Sequence, residues 1–427
     1  MSRRVLAAAG AIALSLGLCA QVFAQEAVHK GTIITPSSSI EKPGDIGQRA
    51  HTNFVLFVPA DATSAASDSP VHPFQFANPQ AGGPPFTGYL IEAPGSVACI
   101  YKLTKAVAGC NPNTATTVPT GGSKAIAIVD AYHNPDAASD LASFSTQFGL
   151  PAATFQVVYQ GTSAPPEDPT GGWEIEESLD VQWAHAMAPN AKIYLVECNS
   201  NSFSDLLAGV AKASSLVSAA GGGEVSMSWG GSEFTGENSY DSDFTTSNVV
   251  YFAATGDAPG TIYPSVSPNV VAVGGTSFRR SPTSPYAFKS EAAWSETGGG
   301  PSEIEARPSY QASIASKVGS VRGVPDVAAL ADPDNSVWVL DNEYPGGGGW
   351  FSVGGTSLAT PTWAGIVNAA GSFAKSTNAE LTTLYGDKAT DFKNTTYGFC
   401  GPYNWYSAST GWDFCTGNGS PVGYTGK

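Results

Sequence analysis

A glycine-rich turn in front of a small-residue helix places one serine where a nucleophile could act. The segment SVGGTSLATPTWAGIVNAAG spans residues 352–371, and Gly354 and Gly355 in it allow a sharp turn. Ser357 follows, at the start of a helix that has Pro361 near its first turn. Its backbone N–H is unused there, and a helix N-terminus favours developing negative charge. The pattern fits an acyl-transfer nucleophile with half of an oxyanion hole, and also a serine N-cap in a tight loop.

Two carboxylates lie four residues apart on a second predicted helix, over about residues 173–188. The apolar residues that recur every four positions form its buried stripe: Ile175, Leu179, Trp183 and Met187. Glu176 and Asp180 stack on one face beside this stripe, with Cβ atoms roughly 6 Å apart. Like charges at that spacing destabilise a helix unless one carboxyl is protonated or a partner compensates. The alternative is a solvated acidic face, to which Glu174 and Glu177 would contribute.

A nucleophilic serine needs a base, and histidine is the usual one. The chain has five histidines: His29, His51, His72, His133 and His185. Three of them precede the predicted α/β region, and His133 lies in a polar turn. His185 shares the helix of Glu176 but lies about 180° away around the helix axis, so we expect it to be structural.

The elements that must position these residues alternate between predicted strands and predicted helices. Apolar runs over residues 124–132, 191–198, 248–255 and 269–277 are separated by helical stretches such as SDLLAGVAKA. Runs without strict two-residue alternation are typical of parallel strands that are covered on both faces. We therefore predict one doubly wound α/β domain with a mostly parallel sheet and helices on both faces.

Composition narrows the function classes. The net charge of the 427 residues is −16, which argues against a nucleic-acid binder because such proteins need a basic footprint. A hydrophobic content of 42% is enough to build a core, which argues against disorder. Charged residues make up only 13%, about half the usual share, so little self-repulsion develops when carboxylates are protonated. This sparse charge suggests tolerance of acid.

The N-terminus has the pattern of a secretory signal peptide. Residues 1–24 start with MSRR, continue with an apolar run that ends at Leu18, and close with VFA. That run is shorter than the roughly 20 residues that a membrane span needs. Residues 25–86 are rich in Pro, Ser and Ala, with little periodicity beyond NFVLFVPA, and we interpret them as a short leader or pro-like segment. The sequence thus predicts secretion.

Five cysteines follow the predicted signal peptide: Cys99, Cys110, Cys198, Cys400 and Cys415. Close neighbours tend to pair in an oxidising compartment, which predicts the bridges Cys99–Cys110 and Cys400–Cys415. Cys198 ends the apolar run AKIYLVEC, so we expect an inert buried thiol. The absence of CxxC or His-rich spacing gives no indication of zinc.

Several motifs in a fixed order resemble the sedolisins, which are serine-carboxyl peptidases. They are GWEIEESLD, VVYFAATGD and GGTSLATP, accompanied by AIVDAYHNPDAASDLASFSTQFGLP, EVSMSWGGSE and GWDFCTGNGSP. The resemblance covers about residues 87–427. It implies a single peptidase domain with a subtilisin-like fold, in which glutamate replaces histidine as the base.

The resemblance also implies a role for each matching residue. Ser357 would be the nucleophile, Glu176 its general base and then acid, and Asp180 the residue that orients Glu176. Asp257, in ATGD, would complete the oxyanion hole, for which it must carry a proton. Asp130 would be a supporting carboxylate or an ordinary aspartate at a strand end. Shared protons among these carboxyls predict an acid optimum.

A substrate strand and a metal site follow from the same resemblance. Ser228, Trp229 and Gly230 would form a cleft strand that pairs with an extended peptide, although a Gly-rich strand end gives the same pattern. One structural calcium ion would bind the side chains or carbonyls of five C-terminal residues: Asp391, Phe392, Ser409, Gly411 and Asp413. The alternative is two loop aspartates without a metal.

The sequence therefore predicts a secreted, acid-active serine-carboxyl endopeptidase. We expect a monomer that acts on protein or peptide substrates, with no nucleic-acid partner and no membrane association after signal removal. Sedolisins usually carry a long prodomain that is removed autocatalytically, whereas only about 60 residues separate the signal peptide from the catalytic start here. This short segment favours one alternative, a catalytically silent secreted binding or surface protein. A His-based subtilisin-like protease is another, and the helical position of His185 argues against it.

Overall fold

The computed structural model describes residues 31–59, 82–386, 390–403 and 406–427. The predicted signal peptide, residues 1–24, lies outside the described residues, as does part of the predicted leader. Within the described ranges, none of the helices combines the length and the apolar character that crossing a bilayer requires.

The strands are β1 (Gly31–Ile34), β2 (His51–Thr52), β3 (Val55–Pro59), β4 (Ala125–Ala131), β5 (Thr154–Tyr159), β6 (Lys192–Cys198), β7 (Gly223–Met227), β8 (Trp229–Ser232), β9 (Val249–Ala254), β10 (Ile262–Tyr263), β11 (Val271–Ser281), β12 (Ser284–Ala293), β13 (Gly300–Ala306), β14 (Val321–Val324), β15 (Val327–Leu330), β16 (Val337–Asp341), β17 (Gly349–Gly354), β18 (Phe392–Lys393) and β19 (Ser420–Pro421). The α-helices are α1 (Pro94–Ile100), α2 (Ala137–Phe148), α3 (Gly172–Met187), α4 (Phe203–Ala219), α5 (Ala315–Val318), α6 (Thr356–Ala370) and α7 (Thr377–Gly386).

A twisted central sheet has the strand order β12-β11-β9-β7-β4-β6-β5, with β15 beside β11. Its strand pairs are parallel, except that β11 and β12 are antiparallel. The four apolar runs of the sequence fall on β4, β6, β9 and β11. The prediction of a mostly parallel α/β sheet is confirmed.

Strand β4 shows why these runs are apolar throughout. Ile126 and Ile128 belong to the core that the sheet forms with α3 and α6. Ala127 and Val129 belong to the core on the other face, against α4. Because successive strand residues point to opposite faces, a strand covered on both sides needs apolar residues at nearly every position.

Helix α3 is buried around its whole circumference. It begins and ends within one residue of the predicted bounds, and α6, α2, β4 and β16 pack around it. All its side chains are buried, including those of Glu176 and Asp180. The alternative of a solvated acidic face is therefore wrong. His185 donates from Nε2 to the carbonyl of Pro151 over 3.0 Å, which is a structural contact.

Residues 31–59 of the predicted leader form strands within the sheets of the larger part of the chain. β1 pairs with β3, and β3 pairs with β17, the strand that precedes Ser357. β2 pairs with β8, which begins directly after Ser228. The boundary between residues 25–86 and residues 87–427 stays a prediction, but the described part of the leader is not separated in space from the peptidase part.

Both predicted disulfides, Cys99–Cys110 and Cys400–Cys415, are present. Cys198 is a free, buried cysteine at the end of β6. Burial raises the pKa of its thiol well above the usual value, so little thiolate forms. The expectation of an inert thiol agrees with this environment.

Candidate active site

Ser357 is the second residue of α6, where strand β17 turns into the helix. The turn is made by Gly355, whose φ of 119° is in the range that favours glycine. Pro361 lies inside α6, further from its start than the sequence suggested, and it has no N–H to offer the carbonyl of Ser357. That carbonyl accepts a hydrogen bond from the Ser228 hydroxyl instead, over 3.2 Å.

Ser228 connects the predicted nucleophile to the predicted orienting carboxylate. The single proton of its hydroxyl is shared between the Ser357 carbonyl and the Asp180 carboxyl, whose two oxygens lie nearer, 2.8 and 2.9 Å away. Its carbonyl accepts the hydroxyl of Ser357 over 2.9 Å. The sequence placed Ser228 in a substrate strand and gave no signal for this second role, because its partners are distant along the chain.

The predicted catalytic pair on α3, Glu176 and Asp180, lies in a buried, acidic environment. Burial, followed by the charge of Asp130, raises the pKa of Glu176 well above its usual value. Neither of its carboxyl oxygens has a hydrogen-bond partner among the described residues, and the predicted bond from the Ser357 hydroxyl goes to the Ser228 carbonyl instead. Burial, followed by the charges of Asp130 and Glu176, raises the pKa of Asp180 as well. These carboxyls therefore hold and share protons at acid pH.

Asp130 extends this acidic group across the sheet. It lies beside Glu197 in the pairing of β4 with β6. Burial and the charge of Glu197 raise the pKa of Asp130 to about 8, and neither of its carboxyl oxygens has a hydrogen-bond partner among the described residues. His133, whose side chain is 19% exposed, places Nδ1 2.6 Å from the Glu197 carboxyl. The buried carboxyls of Glu176, Asp130 and Glu197 thus form an acidic series that runs towards the partly exposed His133.

Asp257 follows strand β9 and faces the start of α6. Its Oδ1 accepts the backbone N–H of Thr356 (2.7 Å) and the Thr356 hydroxyl (2.8 Å). Its Oδ2 is buried and has no hydrogen-bond partner in the described part of the chain. Burial raises the pKa of Asp257 to about 7, against the two Thr356 donors, which lower it. Below that pH the carboxyl is mostly protonated, and a proton on Oδ2 is available to an incoming oxygen.

A family model described as the subtilase family matches residues 156–419, more than half of the chain. The chain belongs to the subtilase family. Kumamolisin from Bacillus sp. (strain MN-32) is 32% identical to this subtilase over 340 residues, covering 71% of this chain and 59% of kumamolisin. Sedolisin from Pseudomonas sp. (strain 101) is 26% identical over 353 residues, covering 72% of this chain and 57% of sedolisin. The resemblance to the sedolisins is thereby confirmed, and the subtilase spans less than two thirds of the length of these relatives.

The fold agrees with a solved structure of Pseudomonas sedolisin (serine-carboxyl proteinase) complexed with two molecules of pseudo-iodotyrostatin. The TM-score is 0.62 at 22% sequence identity, with 80% of this chain and 96% of that chain covered. At this identity the similarity establishes the fold only.

The predicted substrate strand of this subtilase already has a peptide backbone paired with it. Strand β2 runs antiparallel to β8, with His51 opposite Gly230 and Thr52 opposite Trp229. The partner is the chain's own leader segment. Trp229 also donates from its indole N–H to a carbonyl of β4 over 2.7 Å, so its ring has a structural contact.

Asn53, the next residue of that backbone, contacts Ser357 directly. The Ser357 N–H donates to the Asn53 carbonyl over 3.0 Å, and the Asn53 N–H donates to the Ser357 Oγ over 3.2 Å. The Asn53 side-chain amide donates to the carbonyl of Ser228 over 3.0 Å. The sequence did not identify Asn53, although it opens NFVLFVPA, the one periodic run noted in the leader.

In the C-terminal loops, some of the predicted calcium ligands contact N–H donors, and the calcium site stays a prediction. The Asp413 carboxyl accepts backbone N–H groups of Ser409 (2.9 Å) and Thr416 (2.9 Å). The carbonyl of Gly411 accepts the side-chain amide of Asn394 over 2.9 Å. Two of the five predicted ligands are therefore turned towards N–H donors, which a cation would have to displace. No group of three or more His, Cys, Asp or Glu residues suited to a metal occurs in the part of the chain that the structure describes.

Proposed function

We propose that this subtilase is a serine-carboxyl endopeptidase that works in acid. The Ser357 Oγ attacks the carbonyl carbon of a peptide bond while the ionised Glu176 takes the hydroxyl proton. A protonated Asp180 donates to Glu176 and holds its orientation. The Ser357 N–H and the protonated carboxyl of Asp257 bind the oxyanion. Glu176 then gives its proton to the leaving amine, and water hydrolyses the acyl-enzyme.

One observation carries the proposal: the groups that this chemistry needs surround a single peptide carbonyl. The carbonyl oxygen of Asn53 accepts the Ser357 N–H. A Cβ placed on Gly355 would lie 2.3 Å from that oxygen and 2.5 Å from Asp257 Oδ2, so both atoms face the same small space above the glycine. Glu176 is near enough to Ser357 for that hydroxyl to lower the pKa of its carboxyl, and both Glu176 oxygens lack a hydrogen-bond partner among the described residues, so a rotation of the Ser357 hydroxyl away from Ser228 would bring the proton to Glu176.

The protons that the mechanism needs set the pH range. Glu176 must be ionised while Asp180 and Asp257 are protonated. Carboxyls that interact closely reach such a mixed state only when they share protons among themselves. The pKa of Asp257, raised to about 7 by burial, allows the donor state throughout the acid range. We therefore expect peptidase activity below about pH 7 and its loss above that pH.

The test is digestion of acid-denatured haemoglobin or casein across the pH range from 3 to 8. Ser357→Ala and Glu176→Gln should each remove activity while leaving the folded chain intact by circular dichroism. Ser226→Ala, which deletes a different fully buried hydroxyl, is the matched control and should keep activity. Unchanged digestion by either active-site variant would overturn the proposal.

Two other functions give different results in the same assay. A catalytically silent binding protein has one observation in its favour, because Ser357 has 0% exposure beneath the chain's own backbone. Such a protein would digest nothing at any pH. A His-based protease would work best near neutral pH, but the three histidines within the described residues make no hydrogen bond to Ser357.

We also propose that the enzyme is secreted and acts as a monomer on protein or peptide substrates. The two disulfides support an oxidising compartment. Cleavage of the precursor after Ala24 in a secreting host, read by N-terminal sequencing, tests the secretion route. Retention of residues 1–24 on the secreted protein would contradict it.

A further inference from the structure

Five carboxyls lie together between the central sheet and helix α3, and each of them is 0% exposed. Asp130 and Glu197 are opposite each other in the parallel register of β4 and β6. Ile128 and Leu195, two positions earlier on the same strands, belong to the core against α3, so Asp130 and Glu197 point towards that helix as well. The group consists of Glu176, Glu177 and Asp180 on α3, Asp130 on β4 and Glu197 on β6.

Asp130 lies between the predicted catalytic pair and Glu197. After burial, the charge of Asp130 is the strongest influence that raises the pKa of Glu176 and the pKa of Asp180. Asp130 in turn is affected by the charge of Glu197. A change in the charge of Glu197 therefore reaches Glu176 through Asp130.

Glu177 closes the group on the side of the helix. Burial raises the pKa of Glu177, and the charges of Glu197, Asp130, Glu174 and Asp341 raise it further. Neither carboxyl oxygen of Glu177 has a hydrogen-bond partner in the described ranges, and the same holds for Asp130. A buried carboxyl without a partner is stable in its neutral form, so most of this group carries protons.

One basic side chain, His133, contacts the group at its outer end. Its Nδ1 lies 2.6 Å from the Glu197 carboxyl, and its side chain is 19% exposed whereas that of Glu197 is 0% exposed. Burial raises the pKa of Glu197 to about 7, but the charge of His133 acts in the opposite direction. The His133 ring also lies edge-on to Tyr159 of β5, and its charge acts on Glu343. An imidazolium at this place stabilises an ionised Glu197 inside the fold.

We propose that His133 and Glu197 are a positioning pair that keeps the proton on Asp130 and thereby leaves the negative charge of the acidic group on Glu176. The proposal rests on the serine-carboxyl peptidase function proposed above, because it concerns the ionised Glu176 that accepts the Ser357 proton. A negative Glu197 beside Asp130 disfavours a second negative charge there. A neutral Asp130 places no like charge beside Glu176, which can then ionise and act as the base.

The Glu197→Gln variant tests the pair, because it removes the charge and keeps the size of the side chain. Asp130 should then ionise more readily, and its charge should raise the pKa of Glu176 further. A rise of one unit leaves about a tenth of the ionised base at a pH below both values. We therefore expect kcat to fall about three- to tenfold at pH 4 with KM unchanged, and the acid side of the pH profile to move up by about one unit at most. The measurement is kcat and KM from pH 3 to 8 with a fluorogenic peptide.

The His133→Gln variant removes the positive charge at a partly exposed position and keeps a side-chain amide that can donate to Glu197. Glu197 should then be neutral over more of the acid range, so the acid side of the profile should move in the same direction. Glu343→Gln is the matched control. It also removes a charge that acts on His133, but this side chain is partly exposed and screened by solvent and salt, so its profile should coincide with that of the parent.

The Asp130→Asn substitution distinguishes an effect of charge from an effect of structure. In a chain that carries it, position 130 cannot ionise, so adding Glu197→Gln should lower kcat by less than about twofold. A loss of the same size with and without Asp130→Asn would show that Glu197 acts by packing alone and would overturn the proposal. Circular dichroism at pH 4 checks that each variant is folded, and His133→Gln decides the question if Glu197→Gln does not fold.

The outcomes separate the two proposals. An active parent whose acid side stays in place in Glu197→Gln or in His133→Gln would overturn the positioning pair and leave the proposed function standing. A folded parent chain that cuts no peptide between pH 3 and 8 would overturn the peptidase function, and the role of the pair with it.

Discussion

The protonated carboxyl of Asp257 is the part of the proposed mechanism with the clearest pH signature. Its pKa is raised to about 7 because the side chain is buried, and its Oδ2 faces the space that a developing oxyanion would occupy. One pH unit above that pKa, roughly a tenth of the carboxyl is still protonated. We therefore expect kcat to fall about tenfold per pH unit on the alkaline side, in proportion to the remaining donor.

The Asp257→Asn variant keeps a hydrogen-bond donor at this position but removes the group that titrates. The amide oxygen can keep the two hydrogen bonds from Thr356, and the amide nitrogen takes the place of Oδ2 as a donor at every pH. The variant should keep kcat within about tenfold of the parent enzyme at pH 4, since a neutral donor is retained. Its alkaline limb should move to higher pH.

Asp257→Ala is the matched variant without a donor. Loss of one oxyanion donor lowers kcat by about 10²–10³, which corresponds to roughly 2.7–4 kcal/mol of transition-state stabilisation. The measurement is kcat from pH 3 to 9 with a fluorogenic peptide and the same enzyme preparation for each variant. The reasoning fails if Asp257→Asn keeps the parent's alkaline limb, or if Asp257→Ala loses less than threefold.

Three further predictions follow from the buried carboxyls, the turn and the C-terminal loops. Burial raises the pKa of Asp130 and Glu174 to about 8, so between roughly pH 4 and 8 the folded chain binds more protons than the unfolded chain. Its stability therefore falls as the pH rises. The Ser357→Ala variant should have a lower Tm at pH 8 than at pH 4 by differential scanning fluorimetry, and a higher Tm at pH 8 would contradict the burial of these groups. Gly355→Ala should lower kcat/KM by at least about 100-fold because its Cβ would enter the space of the attacked carbonyl. Gly386→Ala, whose Cβ would meet no atom of the described residues within 4 Å, should not change it. A chelator should shift Tm by less than about 2 °C because N–H donors occupy the predicted calcium ligands, and a drop above about 10 °C, reversed by calcium, would show that the loops rearrange around a metal.

The acidic series inside the domain has a physical consequence for the whole fold. Carboxyls that are buried without cationic partners are stable only when protonated, because burial disfavours the charged form. In this subtilase they are concentrated around α3 and β4, where Glu176, Asp180 and Asp130 are fully buried. Acid conditions thus favour both the folded state and the proposed chemistry, whereas neutral pH disfavours both.

The leader segment was the least informative part of the sequence and becomes central in the structure. Its composition, rich in Pro, Ser and Ala, gave no functional signal apart from NFVLFVPA. In the fold, residues 53–59 of that run are Asn53, Phe54 and the strand β3, and the backbone of Asn53 hydrogen-bonds to Ser357. The short leader that favoured a silent protein is long enough to reach the predicted nucleophile.

The sequence by itself determined the features that depend on local pattern. Continuous apolar runs predicted the parallel strands, the four-residue spacing predicted α3 within one residue, and the glycine turn placed Ser357 at a helix start. Close cysteine pairs predicted both disulfides. These succeed because each pattern reflects the environment of neighbouring residues along one element.

Only the tertiary structure decided which distant residues meet. Asn53 contacts Ser357 across 304 positions of the chain, and Ser228 contacts Asp180 across 48. The acidic face of α3 is buried because α6 and β16 close over it, which no periodicity within α3 reveals. Such contacts depend on strand register and on how helices pack against each other, and these are properties of the whole chain rather than of any one segment.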